Sequence, residues 1–228
     1  MSVRQCLRGL LSFMLLSNAL SVLQVQAEGS LAVRLLDQNG APVVGAIVSV
    51  TGAPAQKVTP QVKIMDQIQQ SFVPHVLLIN AGDPVSFPNS DNIRHHVYSF
   101  SEPKVFEIKL YADRPEAPVV FDKPGLVVLG CNIHDSMLGY IYVSPTAYAA
   151  ITAEDGSAAL PVPSTYTGIQ VWHEYYALDE TAQLAIPLDK LASLRGDGGI
   201  YTLTVPLLHP DTEDAAPDGG GFGNSMRR

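Results

Sequence analysis

The chemistry of this sequence is concentrated in Cys131-Asn132-Ile133-His134-Asp135-Ser136-Met137. A thiol, an imidazole and a thioether fall within seven residues. A tight loop between two strands can turn all three side chains toward one point. Soft thiolate and thioether donors combined with imidazole select a transition metal. Two histidines and a cysteine near one plane, with a weak axial methionine, make a type 1 (blue) copper site. Structural zinc sites favour several cysteines and do not use methionine. The expected cofactor is therefore one copper ion cycling between Cu(I) and Cu(II). A further ligand must come from another strand, and His95-His96 offers two candidates. Adjacent side chains on a strand point to opposite faces, so only one can face the metal. The face shared by His96, Tyr98 and Phe100 is the more apolar, and periodicity alone selects His96 for the interior.

Other reactive residue types form no comparable pattern. His75 sits in an apolar stretch and reads as structural; His173, beside the single tryptophan, reads as packing or surface. Asp135 reads as solvated, and Met65 lies outside any ligand spacing. There is no phosphate-binding glycine loop, no Gly-x-Ser-x-Gly elbow and no carboxylate pair that the pattern brings together. Cys131 with His134 could suggest a cysteine nucleophile, but the methionine fits copper better. The expectation is a protein that is not an enzyme.

Strands must position these donors. Short β-branched and aromatic runs punctuated by Pro, Gly and Asn-Gly recur at 31–36, 43–50, 73–80, 85–87, 119–121, 126–129, 138–143, 157–160, 166–173 and 200–207. Residues 95–101 and 105–111 read as a hairpin around Glu102-Pro103-Lys104. The one convincing helical stretch is 188–194. The expected class is all-β, a sandwich.

With 228 residues, the chain has room for one or two small domains. Its apolar fraction is 46%, ample for a core, and its formal net charge of -8 argues against a nucleic-acid partner. Arg4 and Arg8, then an apolar run over 10–23, then Val25-Gln26-Ala27, predict a signal peptide over 1–27. The run is short for a membrane span, and no other run is long enough, so no span is expected in the mature chain. Cleavage would remove two arginines and no acid, carrying the charge from -8 to -10, and would remove Cys6, leaving Cys131 alone. A lone cysteine in an exported chain is reactive, intermolecular or a ligand. Residues 209–228, rich in Asp, Pro and Gly, read as a flexible tail.

These motifs resemble the cupredoxins. The Cys131-x-x-His134-x-x-Met137 loop resembles that of the amicyanin type. Ala81 to Asp91 looks like the strand and turn before the first ligand, and His95-His96-Val97 resembles the family's His-Asn-Val, in which the His is the ligand. Phe121-Asp122-Lys123-Pro124-Gly125 onward to Cys131 matches the strand that delivers the cysteine. The likeness covers residues 62–145. It implies a Greek-key β-sandwich with copper on His95, Cys131, His134 and Met137, and with His134 as the electron route. This chain has His96 where the family has Asn. The resemblance selects His95 as the ligand and leaves His96 as the alternative, or as a neighbour that tunes the site by hydrogen bonding. Segments 31–52 and 152–173 resemble the halves of a small transthyretin-like or carboxypeptidase-regulatory-like sandwich. The expected order is a signal peptide (1–27), the first accessory part (28–56), a copper domain (57–146), the second accessory part (147–208) and a tail (209–228). The chain is similar to secreted plastocyanin-like proteins often labelled methylamine utilization proteins, although no residue here indicates methylamine chemistry. The implied role is a one-electron carrier in the periplasm or outside the cell, serving redox partners with a basic docking surface. A copper-binding or copper-delivery module without redox turnover is the alternative, and a structural module with incidental copper is a third.

Overall fold

A computed structural model describes residues 29–208, apart from 55, 57, 114, 116 and 135. The expected signal peptide and tail lie outside the described residues. The strands are β1 (Gly29–Leu36), β2 (Ile47–Thr51), β3 (Lys63–Ile64), β4 (Asp66–Ile68), β5 (Ser71–Val73), β6 (Val76–Asn80), β7 (Pro84–Ser86), β8 (His95–Ser99) and β9 (Phe106–Tyr111). There follow β10 (Val119–Val120), β11 (Gly125–Cys131), β12 (Leu138–Ser144), β13 (Ala149–Ile151), β14 (Ser157–Val162), β15 (Gly168–Trp172), β16 (Leu184–Pro187) and β17 (Tyr201–Thr204). The helix α1 (Leu188–Ser193) precedes β17. The all-β class holds. No helix among the described residues is long and apolar enough to cross a membrane. The strand expected over 43–50 begins only at Ile47, because Gly45 turns the chain at φ +75°.

Four of the five sheets among the described residues stack in layers, and the fifth is the two-stranded hairpin β4-β5. The order β14-β1-β17 faces β13-β2-β15-β16 across a core that includes Leu31, Val33 and Leu35 on β1, with Val48, Ile169 and Val171 opposite. The order β6-β12-β11-β8-β9 faces β10-β7-β3 across a second core that includes Val85, Phe87, Phe121, Leu129 and Ile141. Strand alternation explains how the pairs join. On β2 and β15, Val48, Val50, Ile169 and Val171 point into the first core, whereas Ile47 and Trp172 point the other way. On β12, Ile141 and Val143 point into the second core, whereas Tyr140 and Tyr142 point out. The outward sets meet. The Trp172 ring lies 5.4 Å from Tyr140 and 6.1 Å from Tyr142. The Tyr142 hydroxyl donates to Gln183 Oε1 at 3.0 Å and accepts from Gln170 Nε2 at 3.2 Å, so the buried phenol is satisfied. β12 is consequently buried on both faces.

His75 and Glu174 clasp this junction at its edge. His75 Nε2 lies 3.0 and 3.1 Å from the two carboxylate oxygens. The hydrogen bond to Glu174 holds the ring's pKa above its ordinary value, against the lowering effect of burial. A raised folded pKa means that protonation favours the folded state. The contribution is full below the unfolded value of about 6.5 and is lost as pH rises through the folded pKa. The His75 side chain is 48% exposed, so screening holds the effect below about 1 kcal/mol. Because burial lowers the His173 pKa and gives the opposite slope, the readout is a difference: from about pH 5 to pH 8 the wild-type Tm should fall relative to that of Glu174→Gln. An identical pH slope in both proteins would remove His75 as its source.

Candidate metal centre

β11 and β12 are antiparallel neighbours, with Gly130 opposite Leu138. Cys131 ends β11, and residues 132–137 form the connection. A turn closes where the Met137 amide donates to the His134 carbonyl at 2.9 Å. Alternation along β11 directs Val127, Leu129 and Cys131 inward, so the thiol is a core side chain at 2% exposure. β8 lies on the other side of β11, with Val97 opposite Cys131 and Tyr98 opposite Gly130. Gly130 leaves room there for Tyr98, since a β-carbon would stand 2.8 Å from the tip of its ring and displace it.

β8 settles which of the adjacent histidines faces inward. Its burial alternates, with His95, Val97 and Ser99 inside. His95 is 0% exposed. The interior position that periodicity assigned to His96 is overturned. Tyr98 and Phe100 share its outward face, and Phe100 is 81% exposed, because the sheet that covers β12 does not cover this edge. A register irregularity does occur at this pair of strands. From His95↔Tyr111 to Val97↔Ile108, the extra residue belongs to β9, so the alternation of β8 is intact. His96 Nε2 lies 2.9 Å from Glu107 Oε1 but without hydrogen-bond alignment. Its carbonyl accepts from the Asn132 amide at 3.3 Å, tying β8 to the loop just beyond Cys131.

His95, Cys131 and His134 converge, with one donor atom from each within 4.8 Å of the others. Cys131 Sγ is 3.6 Å from His95 Nδ1 and 4.0 Å from His134 Nδ1. Metal bonds of about 2.0 Å to nitrogen and about 2.3 Å to sulfur, spread in a plane, would separate sulfur and nitrogen by about 3.7 Å. The three donors are thus spaced to share one ion, and their softness suits copper. Met137 is buried at 2% in the core cluster that contains Cys131. His134 is partly exposed. Met65, fully buried, packs in the same cluster as an apolar side chain. His75 and His173 lie elsewhere: His75 is paired with Glu174, and His173 Nε2 is 3.2 Å from the Val44 carbonyl. Asp135 lies outside the described residues.

Asp91 supports the centre directly without any spacing motif to reveal it, and Gln67 and Tyr111 brace the Phe87-Pro88 segment, with Tyr111 opposite His95 in register. Asp91 Oδ2 is 2.7 Å from His95 Nε2. Burial acts to raise the Asp91 pKa, but hydrogen bonds from the Gln70 amide, the His95 ring and the Gln69 amide outweigh it, so the carboxyl titrates below its ordinary value. An ionised carboxylate only accepts hydrogen bonds, so the nitrogen facing Asp91 is a donor, and Nδ1 is the nitrogen that faces Cys131. Gln67, fully buried, donates through Nε2 to the Pro88 carbonyl at 2.9 Å and to the Tyr111 hydroxyl. The Tyr111 hydroxyl donates to the Phe87 carbonyl at 2.8 Å. Burial pushes the phenol up to about 12, against the lowering effect of the Gln67 hydrogen bond. Asp91 stands four residues before His95 in an Asn-Ser-Asp turn, a weak signal that only tertiary structure makes specific.

No family model matches the chain, and no curated protein matches it. Solved structures overlap it in part. A copper-containing nitrite reductase (NirK) from Thermus scotoductus SA-01 is 27% identical over 42% of this chain, with a TM-score of 0.35, and the match spans 25% of the reductase. A novel purple cupredoxin from Nitrosopumilus maritimus is 22% identical over 36% of this chain and 98% of its own, with a TM-score of 0.32. Amicyanin from Paracoccus versutus is 18% identical over 42% of this chain and 97% of its own, with a TM-score of 0.32.

Proposed function

We propose that this protein is an exported one-electron carrier of cupredoxin type, with a single type 1 copper on His95, Cys131 and His134 and with Met137 as a weak axial donor. The carrying observation is the thiol held 3.6 and 4.0 Å from two imidazole nitrogens inside a packed core. Bound copper would supply the redox chemistry, gaining and losing one electron. The chain's own residues do the rest. β8 and β11 fix His95 and Cys131 from adjacent hydrogen-bonded strands, and the full burial of His95 excludes water from that side. Holding donors in one packed arrangement limits rearrangement between oxidation states. His134 reaches the surface beside Ile133, 49% exposed, and Leu138, 41% exposed, an apolar rim where a partner could approach the ligand. The acidic chain favours a partner with a basic docking surface and salt-sensitive association.

The partial exposure of His134 also suits release of the ion to an acceptor, which is the delivery reading. One experiment separates the two. The chain without residues 1–27 is loaded with Cu(II), and its visible and EPR spectra and its voltammogram are recorded. A strong thiolate-to-copper band with a reversible one-electron wave is expected. Without the band, the type 1 assignment fails. A band with no reversible wave, and rapid loss of Cu(I) to a chelator, would favour delivery.

A further inference from the structure

The hairpin of β4 and β5 turns at Gln69-Gln70, whose φ angles are +52° and +58°. A two-residue turn with both φ positive is the type I′ geometry, normally built from Asn and Gly. Side chains other than Gly, Asn and Asp enter that region at a cost. Both glutamines are exposed, so water could serve their amides equally well. Yet one carboxylate takes both: the Gln69 amide donates to Asp91 Oδ1 at 2.5 Å and the Gln70 amide to Asp91 Oδ2 at 2.9 Å. That same Oδ2 is the acceptor 2.7 Å from His95 Nε2. The far side of the loop is also fixed. The Asp91 amide donates to Asn89 Oδ1 at 3.0 Å, and Asn89 Nδ2 donates to the Ile93 carbonyl at 2.8 Å. Ser90 bonds to Asp66 at the base of the hairpin, with its hydroxyl 2.8 Å from Oδ2.

We propose that Asp91 and the Gln69-Gln70 turn act as one positioning unit for His95, in which the turn's two amides hold the carboxylate against the ring and so set the ligand's orientation and donor strength. This rests on the reading of His95 as a copper ligand. The exposed turn then reaches the buried ligand through a single side chain. A carboxylate on the ring favours the more highly charged Cu(II), so loosening it weakens Cu(II) binding more than Cu(I) binding. The reduction potential rises by about 59 mV for each tenfold difference.

Three variants test the unit. Asp91→Asn keeps the size but offers one oxygen acceptor where three donors converge. Cu(II) affinity should fall about 10- to 100-fold, with a matching rise in potential. Gln70→Pro touches no ligand, but it removes one of the two amides and forbids the positive φ. It should move the potential in the same direction while the visible band persists. Gln69→Asn with Gln70→Gly keeps both amides and relieves the backbone, so the protein should gain thermal stability at an unchanged potential. A wild-type potential in Asp91→Asn, or in Gln70→Pro, would overturn the proposal. Nitrogen NMR of the metal-free protein gives a readout independent of copper. His95 should carry its proton on Nε2, with ring shifts that move in both Asp91→Asn and Gln70→Pro; the opposite tautomer, or unmoved shifts, would overturn it too. If wild-type protein gives no thiolate-to-copper band, the copper reading fails while the NMR result still judges the clamp.

Discussion

Replacing Cys131 with serine should abolish the visible thiolate-to-copper absorption and leave a folded protein. The cysteine sulfur is the only donor in the cluster that can bind copper as a soft thiolate, and it is the atom that both imidazole nitrogens face, at 3.6 and 4.0 Å. A serine hydroxyl is close in size, so the walls built by Val97, Leu129 and Met137 need not move. It is a poor ligand for Cu(I) and does not ionise near neutral pH. The two imidazoles and the thioether remain, so copper can still bind, but the affinity should fall by more than about 100-fold, beyond the loss expected for removing an outer hydrogen-bond partner. Burying a hydroxyl in this core costs about 1–3 kcal/mol if it stays unpaired. The nearby imidazole nitrogens offer acceptors, so the loss of stability should sit at the low end. Absorption spectra of copper-loaded wild-type and Cys131→Ser protein, with a competition titration against a coloured chelator, check both numbers. A band that survives the substitution, or an affinity that does not change, would remove Cys131 from the centre.

What could be read in the sequence followed the range of the interactions. The Cys131 to Met137 loop is local: three donors share one turn, and their spacing shows it. The long strands β11, β12 and β15 announce themselves through β-branched and aromatic runs. The choice between His95 and His96 is not local. Judged by polarity, the face with Tyr98 and Phe100 belongs inside, yet among the described residues those rings lie on an edge that no other sheet covers. The inward set of His95, Val97 and Ser99 is small and partly polar because the core beneath it is filled from β7, β11 and β12. The hairpin of β4 and β5 left no trace, with strands of three residues and a Gln-Gln turn that lacks Asn and Gly. Asp91, far along the chain, supplies what that turn sequence does not. The short strands β13 and β16 were likewise invisible, since neighbours in the sheet, not local pattern, make them strands.

The packing of one sandwich on the other was also out of reach of the sequence, and it carries the largest expected effect on stability. Trp172→Ala should destabilise the protein by about 3–5 kcal/mol. Trp172 is 1% exposed and fills the contact between Ile47 on one sheet and Val76, Leu126, Tyr140 and Tyr142 on the other. Its Nε1 donates to the Glu180 carbonyl at 2.7 Å, so truncation leaves both a cavity and an unpaired acceptor. The two tyrosines cannot collapse into the gap freely, because the Tyr142 hydroxyl is held by Gln170 and Gln183. For a chain of this size, the loss corresponds to a fall in Tm of about 6–20 °C. The copper spectrum should not change, since Trp172 packs on the face of β12 opposite the core that holds Cys131 and Met137. Calorimetry on the metal-free proteins, with visible spectra after loading, measures the two effects separately. A loss below about 1 kcal/mol would mean that the junction is held elsewhere, with β2 and β15 contributing little to the stability of the strands beneath them. A large loss accompanied by a shifted copper band would mean instead that β12 transmits strain from the junction to the metal loop.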